Sequence, residues 1–209
     1  MNSASQTEIF RAALETEAAS YRVTLSGESL EALSKYYELL NAWNSRLHLV
    51  APTSPREFAT RHVLESLLLL EHLPKGATVA DIGSGAGLPI LPCLIARPDL
   101  QAFLIEASKK KSVFLREALN QTATSKQARV IAQRFQDIGT PEVSFVSSRA
   151  LERFEKMLPR LLEWAPARSK LLLFAGEELG EVIAKSGFAV TTVLIPNSKR
   201  RFLLVVSKG

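Results

Sequence analysis

From Ala77 onward the chain alternates short β-type apolar runs with helical segments, and this alternation constrains the fold more than any other feature. Such runs occupy residues 78–82, 102–106, 129–132, 142–146 and 170–175. Helical stretches follow at about 89–96, 109–120, 151–164 and 177–186. Strand alternating with helix implies crossover connections, hence an α/β fold with a mainly parallel sheet covered on both faces. The end breaks the pattern. Runs at 189–195 and 201–207 are joined by a segment too short for a parallel crossover, so they should form an antiparallel hairpin.

The first part of the chain reads differently. Ser26 is a candidate N-cap, and Leu30, Leu33, Tyr37 and Leu40 recur at helical spacing, with Asn41 to Asn44 closing the helix near Trp43. A loop punctuated by Pro52 and Pro55 leads into a further helix over about 56–73, stopped by Pro74-Lys75-Gly76. We therefore expect an N-terminal helical extension over residues 1–75, packed on an α/β domain over 76–209. No apolar run is long enough for a membrane span, and Met1 to Glu8 shows no signal-peptide pattern. The single cysteine, Cys93, allows no internal disulfide and no cysteine-based zinc cluster. A core thiol in a reducing, cytoplasmic setting with no metal is the expectation. The excess of 26 basic over 21 acidic residues, a net charge of +5, hints weakly at a polyanionic partner.

The most informative motif is Val79-Ala80-Asp81-Ile82-Gly83-Ser84-Gly85-Ala86-Gly87, where the first strand turns into a helix. Ligands of open α/β sheets bind outside the carboxyl ends of the strands, at this kind of turn. Dinucleotide sites use G-x-G-x-x-G and set a pyrophosphate on the helix N-terminus. Here the spacing is G-x-G-x-G, with Asp81 two positions ahead of the first glycine. A carboxylate there opposes a pyrophosphate but suits the ammonium and sulfonium of S-adenosylmethionine. Glu106 ends the next strand, where an acid accepts hydrogen bonds from ribose hydroxyls of either cofactor. Asp81 and the glycine spacing thus favour S-adenosylmethionine over NAD. A structural turn without a ligand is the plainer alternative.

Taken together the residues resemble the ribosomal RNA small-subunit methyltransferase G family, also called glucose-inhibited division protein B. The resemblance runs from about Tyr36 to Lys208. It rests on Trp43-Asn44 with Leu47 and Leu49, Arg61-His62-Val63-Leu64-Glu65-Ser66, and the glycine loop with Leu88-Pro89 and Pro92. Glu106 with Lys110-Lys111 and Phe114-Leu115, Ser148-Arg149-Ala150, and Arg201-Phe202-Leu203 complete it. The chain departs from the family at Ile90 (usually Gly), at Glu65 and Glu106 (usually Asp), at Phe135-Gln136 (usually Ala-Glu) and at Ala175 (usually Lys). The resemblance implies the Rossmann-like seven-stranded sheet of class I methyltransferases. It also implies methylation of guanine N7 in bacterial 16S ribosomal RNA, on the naked RNA or the small ribosomal subunit.

By the same resemblance, Asp81, Gly83, Ser84, Gly85, Gly87, Leu88, Glu106, Phe135, Gln136 and Arg149 form the cofactor site. Arg149 meets the cofactor or the incoming guanine and is the one candidate catalytic residue. Arg61 and His62, and the run Lys109-Lys110-Lys111 at a helix start, are candidate RNA contacts. A cap on the sheet and a solvated face are their structural alternatives. The turn cations Lys199-Arg200-Arg201 read as solvated. Guanine N7 has no proton to lose, so positioning rather than a general base is the expected contribution. No N-P-P-Y-like tetrapeptide is present, and Cys93 lies away from the fourth strand. A monomer is expected. Another RNA, a protein or a small molecule as acceptor, or an impaired binding homologue, are the alternatives.

Overall fold

The computed structural model describes residues 3–149 and 154–208. Ala150 and the expected start of a helix at Leu151 lie outside the described residues. Seven strands form one sheet: β1 (Thr78–Ile82), β2 (Gln101–Ile105), β3 (Ala128–Ile131), β4 (Phe145–Ser148), β5 (Lys170–Ala175), β6 (Ala189–Leu194) and β7 (Phe202–Ser207). Their spatial order is β3-β2-β1-β4-β5-β7-β6. The first five are parallel, and β7 inserts antiparallel between β5 and β6. The parallel half with a terminal hairpin is the expected arrangement. The insertion of β7 beside β5 is additional information. β7 is the more apolar of the two hairpin strands, so it takes the inner position, while β6 with Thr191 and Thr192 exposed forms the edge.

Side-chain alternation divides the core. In β5, Leu172 and Phe174 face one layer and Leu171 and Leu173 the other. The first layer packs against α1 (Ser3–Glu17), α2 (Gly27–Leu47), α5 (Ile90–Ala96) and α6 (Lys109–Gln121); the second against α7 (Phe154–Trp164) and α8 (Glu177–Lys185). Cys93 is fully buried, and burial raises its thiol pKa, which fits a core role.

In α2, Ser26 accepts a hydrogen bond from Ser29 N as N-cap, and Leu30, Leu33, Tyr37 and Leu40 are all buried. The helix runs to Leu47, beyond the expected stop. Asn44 stays helical because its amide leaves the helix to bond Val50 N and O at 3.0 and 3.1 Å, anchoring the loop that follows. The expected helix over 56–73 is a composite: α3 (Pro55–Glu57), a π-helical segment Phe58–Leu64, α4 (Glu65–Leu67), and a 3-10 turn Leu68–His72. Single π turns often mark functional sites, and this one carries Arg61 and His62.

Phe58 opens the π segment and is 1% exposed. Its ring lies 5.9 Å from Phe10, 5.3 Å from Tyr37, 6.2 Å from Tyr36 and 5.2 Å from His62. Tyr36 carries the contact onward, its hydroxyl donating to Ala86 O of the glycine loop at 2.8 Å. Phe58→Ala should therefore destabilise the protein by about 3–5 kcal/mol, read from a denaturant titration. A loss under about 1 kcal/mol would place this cluster outside the cooperative core.

Candidate active site

At the end of β1 the backbone turns through Gly83, Gly85 and Gly87, all at positive φ (71°, 50° and 88°). Gly83 N donates to Ile105 O at 2.8 Å, which ties the loop to the end of β2. Gly87 serves packing, because a Cβ there would stand 3.0 Å from Leu91 Cβ. Gly85 differs. A Cβ would meet no protein atom closer than 3.6 Å, so only the backbone angle and the open space beyond it call for glycine. That space is a cavity of about 850 Å³ at the carboxyl ends of the strands.

The cavity has two ends. Toward β2 and β3, Glu106 is 8% exposed and accepts from Gly85 N at 2.9 Å and Ser108 N at 2.7 Å. Each oxygen keeps lone pairs for further donors such as ribose hydroxyls. Buried Phe135, braced edge-on by Trp164, supplies an apolar wall, and Gln136 lies exposed beside it. Gly83, Ser84 and Leu88 line the floor between the ends. This set fits a nucleoside: a carboxylate fixed by backbone, an apolar face, and a cradle that a Cβ at Gly85 would fill.

Toward β4 the lining changes to Leu49, Val50 and Ala51 of the Asn44-anchored loop, with His62 and Arg149. Arg149 follows β4 directly. Ser147 and Ser148 hold that strand end against β1, their hydroxyls donating to Asp81 Oδ1 at 2.7 Å and Ile82 O at 2.9 Å. The Arg149 guanidinium lies over the Phe174 ring at 5.1 Å. Its Nη2 donates to Glu65 Oε2 at 3.1 Å and to Arg61 O. Glu65 is 1% exposed and pairs through its other oxygen with Arg201 Nη2 at 2.9 Å. Burial pushes the Glu65 carboxyl up while the two guanidinium groups pull it back. His62 is pushed down to about 4, by burial first and by Arg149 and Arg61 next, so its imidazole is neutral at neutral pH.

The structure brings Gly83, Ser84, Gly85, Leu88, Glu106, Phe135, Gln136 and Arg149 to one cavity, with His62 and Lys111 at its border. Asp81 lies elsewhere than the sequence suggested. Its carboxylate is fully buried beneath the loop, accepting from Ser147, and burial pushes it up to about 7. It does not line the cavity; the alternation of β1 turns it into the layer below. Gly87 is likewise behind the wall. Lys109 and Lys110 are exposed outside, and Arg61 is exposed and paired with Glu57. The sequence reading missed Met157 and Arg160 of α7 as lining residues, and Glu65 as the partner of Arg149. Leu49 and Glu65 carried a signal only through the family motifs.

A parallel sheet in this strand order, with a glycine loop after β1 and a fixed acid after β2, defines the class I S-adenosylmethionine-dependent methyltransferases. Solved structures agree on the fold. A SAM-dependent methyltransferase from Aquifex aeolicus superposes with TM-score 0.56 at 19% identity, covering 69% of this chain and 89% of that one. A ribosomal protein L11 methylase from Lactobacillus delbrueckii subsp. bulgaricus gives 0.58 at 13%, covering 71% and 78%. The particular family follows from sequence. The model of the rRNA small subunit methyltransferase G family (GidB) matches residues 29–198, and the chain belongs to that family. Relatives named ribosomal RNA small subunit methyltransferase G include one from Dichelobacter nodosus, 36% identical over 87% of this chain and 85% of its own length. Another, from Xanthomonas euvesicatoria pv. vesicatoria, is 38% identical over 88% and 92%.

Gly85→Val should abolish S-adenosylmethionine binding in calorimetry, because the branched side chain would enter the cavity at a strained backbone angle. Unchanged affinity would place the cofactor elsewhere.

Proposed function

We propose that this chain transfers the methyl group of S-adenosylmethionine to N7 of a guanine in bacterial 16S ribosomal RNA. In this reading it works in the cytoplasm as a single copy, with residues 1–75 as an extension of a methyltransferase domain over 76–209. S-adenosylmethionine supplies an electrophilic methyl group on its sulfonium when bound. Glu106, Phe135, Gln136 and the glycine loop hold the nucleoside end, and His62 and Arg149 border the acceptor.

The observation that carries the N7 assignment is the absence of a free general base among the described residues at the acceptor end. Glu65 is taken by two arginines, Asp81 is under the loop, and His62 is too weakly basic to collect a proton at neutral pH. An exocyclic amine or a ribose hydroxyl must lose a proton on methylation; guanine N7 attacks with a lone pair and loses none. Such a site works by positioning and by its fixed dipoles. No helix of the described residues is long and apolar enough to cross a membrane.

Small subunits from a strain lacking the gene, incubated with the protein and labelled cofactor, should acquire one methyl group on 16S RNA. The product should be cleavable by reduction followed by aniline, as a cationic N7-methylguanine is. Its single-turnover rate should be flat across neutral pH, since guanine N7 attacks as a lone pair already free at neutral pH and loses no proton. A product resistant to cleavage, or a rate rising with a pKa near neutrality, rules out N7.

Lys109, Lys110 and Lys111 start α6 beside the cavity mouth, and Arg61 stands on the other side with His62. We assign these basic groups to the RNA path. Neutralising Lys109 and Lys110, which lie outside the cavity, should lower the slope of log affinity against log salt by roughly 1–2, with cofactor affinity unchanged. An unchanged slope would make the run a solvated face.

A further inference from the structure

Adenine also has an N7 lone pair. On the edge that carries N7, the two purines differ only at position 6: guanine presents an O6 acceptor, adenine an N6 amino donor. An N7 methyltransferase that discriminates between them needs a donor at that point and must leave N7 itself uncovered.

The acceptor end supplies one such group. Arg149 is mostly buried, lines the cavity, and is held on three sides by the Phe174 ring, the Glu65 carboxylate and the Arg61 carbonyl. Nη2 makes both of its hydrogen bonds. Nη1 is buried and has no hydrogen-bond partner among the described residues. A buried guanidinium nitrogen left unpaired is costly, and an acceptor brought by a ligand would remove that cost. The other lysine and arginine side chains around the cavity lie elsewhere: Lys111, half-buried, at the start of α6, and Arg134 and Arg160, exposed, on the β3 and α7 side.

We infer that Arg149 reads the target base, donating from Nη1 to O6 of the guanine, and that Glu65 positions it for this by occupying Nη2. The inference rests on the N7 reading above. The arrangement explains why the contact is single. A free guanidinium binds guanine bidentately through O6 and N7, and that would cover the nucleophile. Both two-nitrogen edges of the guanidinium include Nη2, so with Nη2 already engaged neither can bind bidentately; Nη1 makes a single contact to O6 and N7 stays open. Adenine in the same pose would set its amino hydrogens against the Arg149 donor. Glu65, shared with Arg201, offsets part of the guanidinium charge that the methylated base would face. His62, neutral and with Nδ1 buried and unpaired among the described residues, adds no competing charge.

The test compares bases at the position mapped in the assay above. Subunits are reconstituted with 16S RNA carrying guanine, hypoxanthine, 2-aminopurine or 7-deazaguanine there, and single-turnover methylation is measured. Hypoxanthine keeps O6 and N7; 2-aminopurine keeps N7 and lacks O6. The wild type should methylate guanine and hypoxanthine within about tenfold of each other and 2-aminopurine about 10- to 100-fold more slowly. Arg149→Met should slow guanine by a similar factor and 2-aminopurine hardly at all, so that the ratio between them falls toward one. Glu65→Gln should lower the same ratio, and Glu65→Asp should retain more of it. Equal slowing of both bases by Arg149→Met means a structural role and overturns the inference. If Arg149→Met does not fold, the wild-type comparison decides: equal rates on guanine and 2-aminopurine overturn it. Methylation of 7-deazaguanine would instead sink the N7 reading, whatever the ratio does.

Discussion

The Glu65 carboxylate, buried between Arg149 and Arg201, is the interaction on which the arrangement of this site depends. It joins three parts of the chain that share no local structure: α4 of the helical extension, the end of β4, and the residue just before β7. Removing water from one carboxylate and most of two guanidinium groups costs several kcal/mol per ion, and mutual attraction recovers that only with good geometry. Such a trio contributes little net stability. Its effect is specificity of arrangement, because any packing that separates the partners leaves a buried charge alone at a cost of about 3–5 kcal/mol. The helical extension therefore has one favoured seat on the sheet, and that seat places His62 and the Leu49–Ala51 wall over the strand ends.

The two ends of the cavity are built by different means. The end toward β2 and β3 is local: a glycine loop, an acid one strand away, and backbone N–H groups that fix both carboxylate oxygens. Its geometry follows from β1 and β2 lying side by side in register. The end toward β4 is assembled over long distances, from the Asn44-anchored loop, the π segment and the residue after β4. Tyr36 connects the two, reaching from α2 to the carbonyl of Ala86 in the glycine loop. A change in how the extension sits is thereby felt at the glycine loop as well as at the β4 end of the cavity.

What was legible in the sequence follows the same division. β1 and β5 fall where alternation and β-type composition put them, because strands buried on both faces leave a continuous apolar run. β4 falls three residues later than expected. Its Ser147 and Ser148 look like loop residues, yet their hydroxyls are satisfied inside the sheet by Asp81 and Ile82. The π segment was invisible for another reason. One extra residue in a turn leaves the apolar spacing over 56–73 close to helical, so periodicity alone gives one continuous helix. Asn44 misled in the opposite direction, as a polar residue that reads as a stop when its amide is in fact spent on the loop beyond.

Asp81 and Glu65 show why charge on its own locates a site poorly. Both are acidic residues beside a motif, and spacing alone gives each an outward role or none. Asp81 was placed against the cofactor because it precedes the glycines. It lies instead below them, with Oδ2 buried and unpaired, since the β1 pleat that exposes the loop turns the residue at 81 inward. Glu65 sits in an apolar helical stretch, where an acid would ordinarily mark the solvent face. Only the fold supplies the two arginines that make its burial tolerable, and neither is near it in sequence. The glycine-loop end of the cavity was readable as a unit because its parts are neighbours in one strand–loop–helix segment and the strand beside it. The β4 end was not, because the group that holds Arg149 is identified by a contact, and a contact between distant segments has no signature in either one.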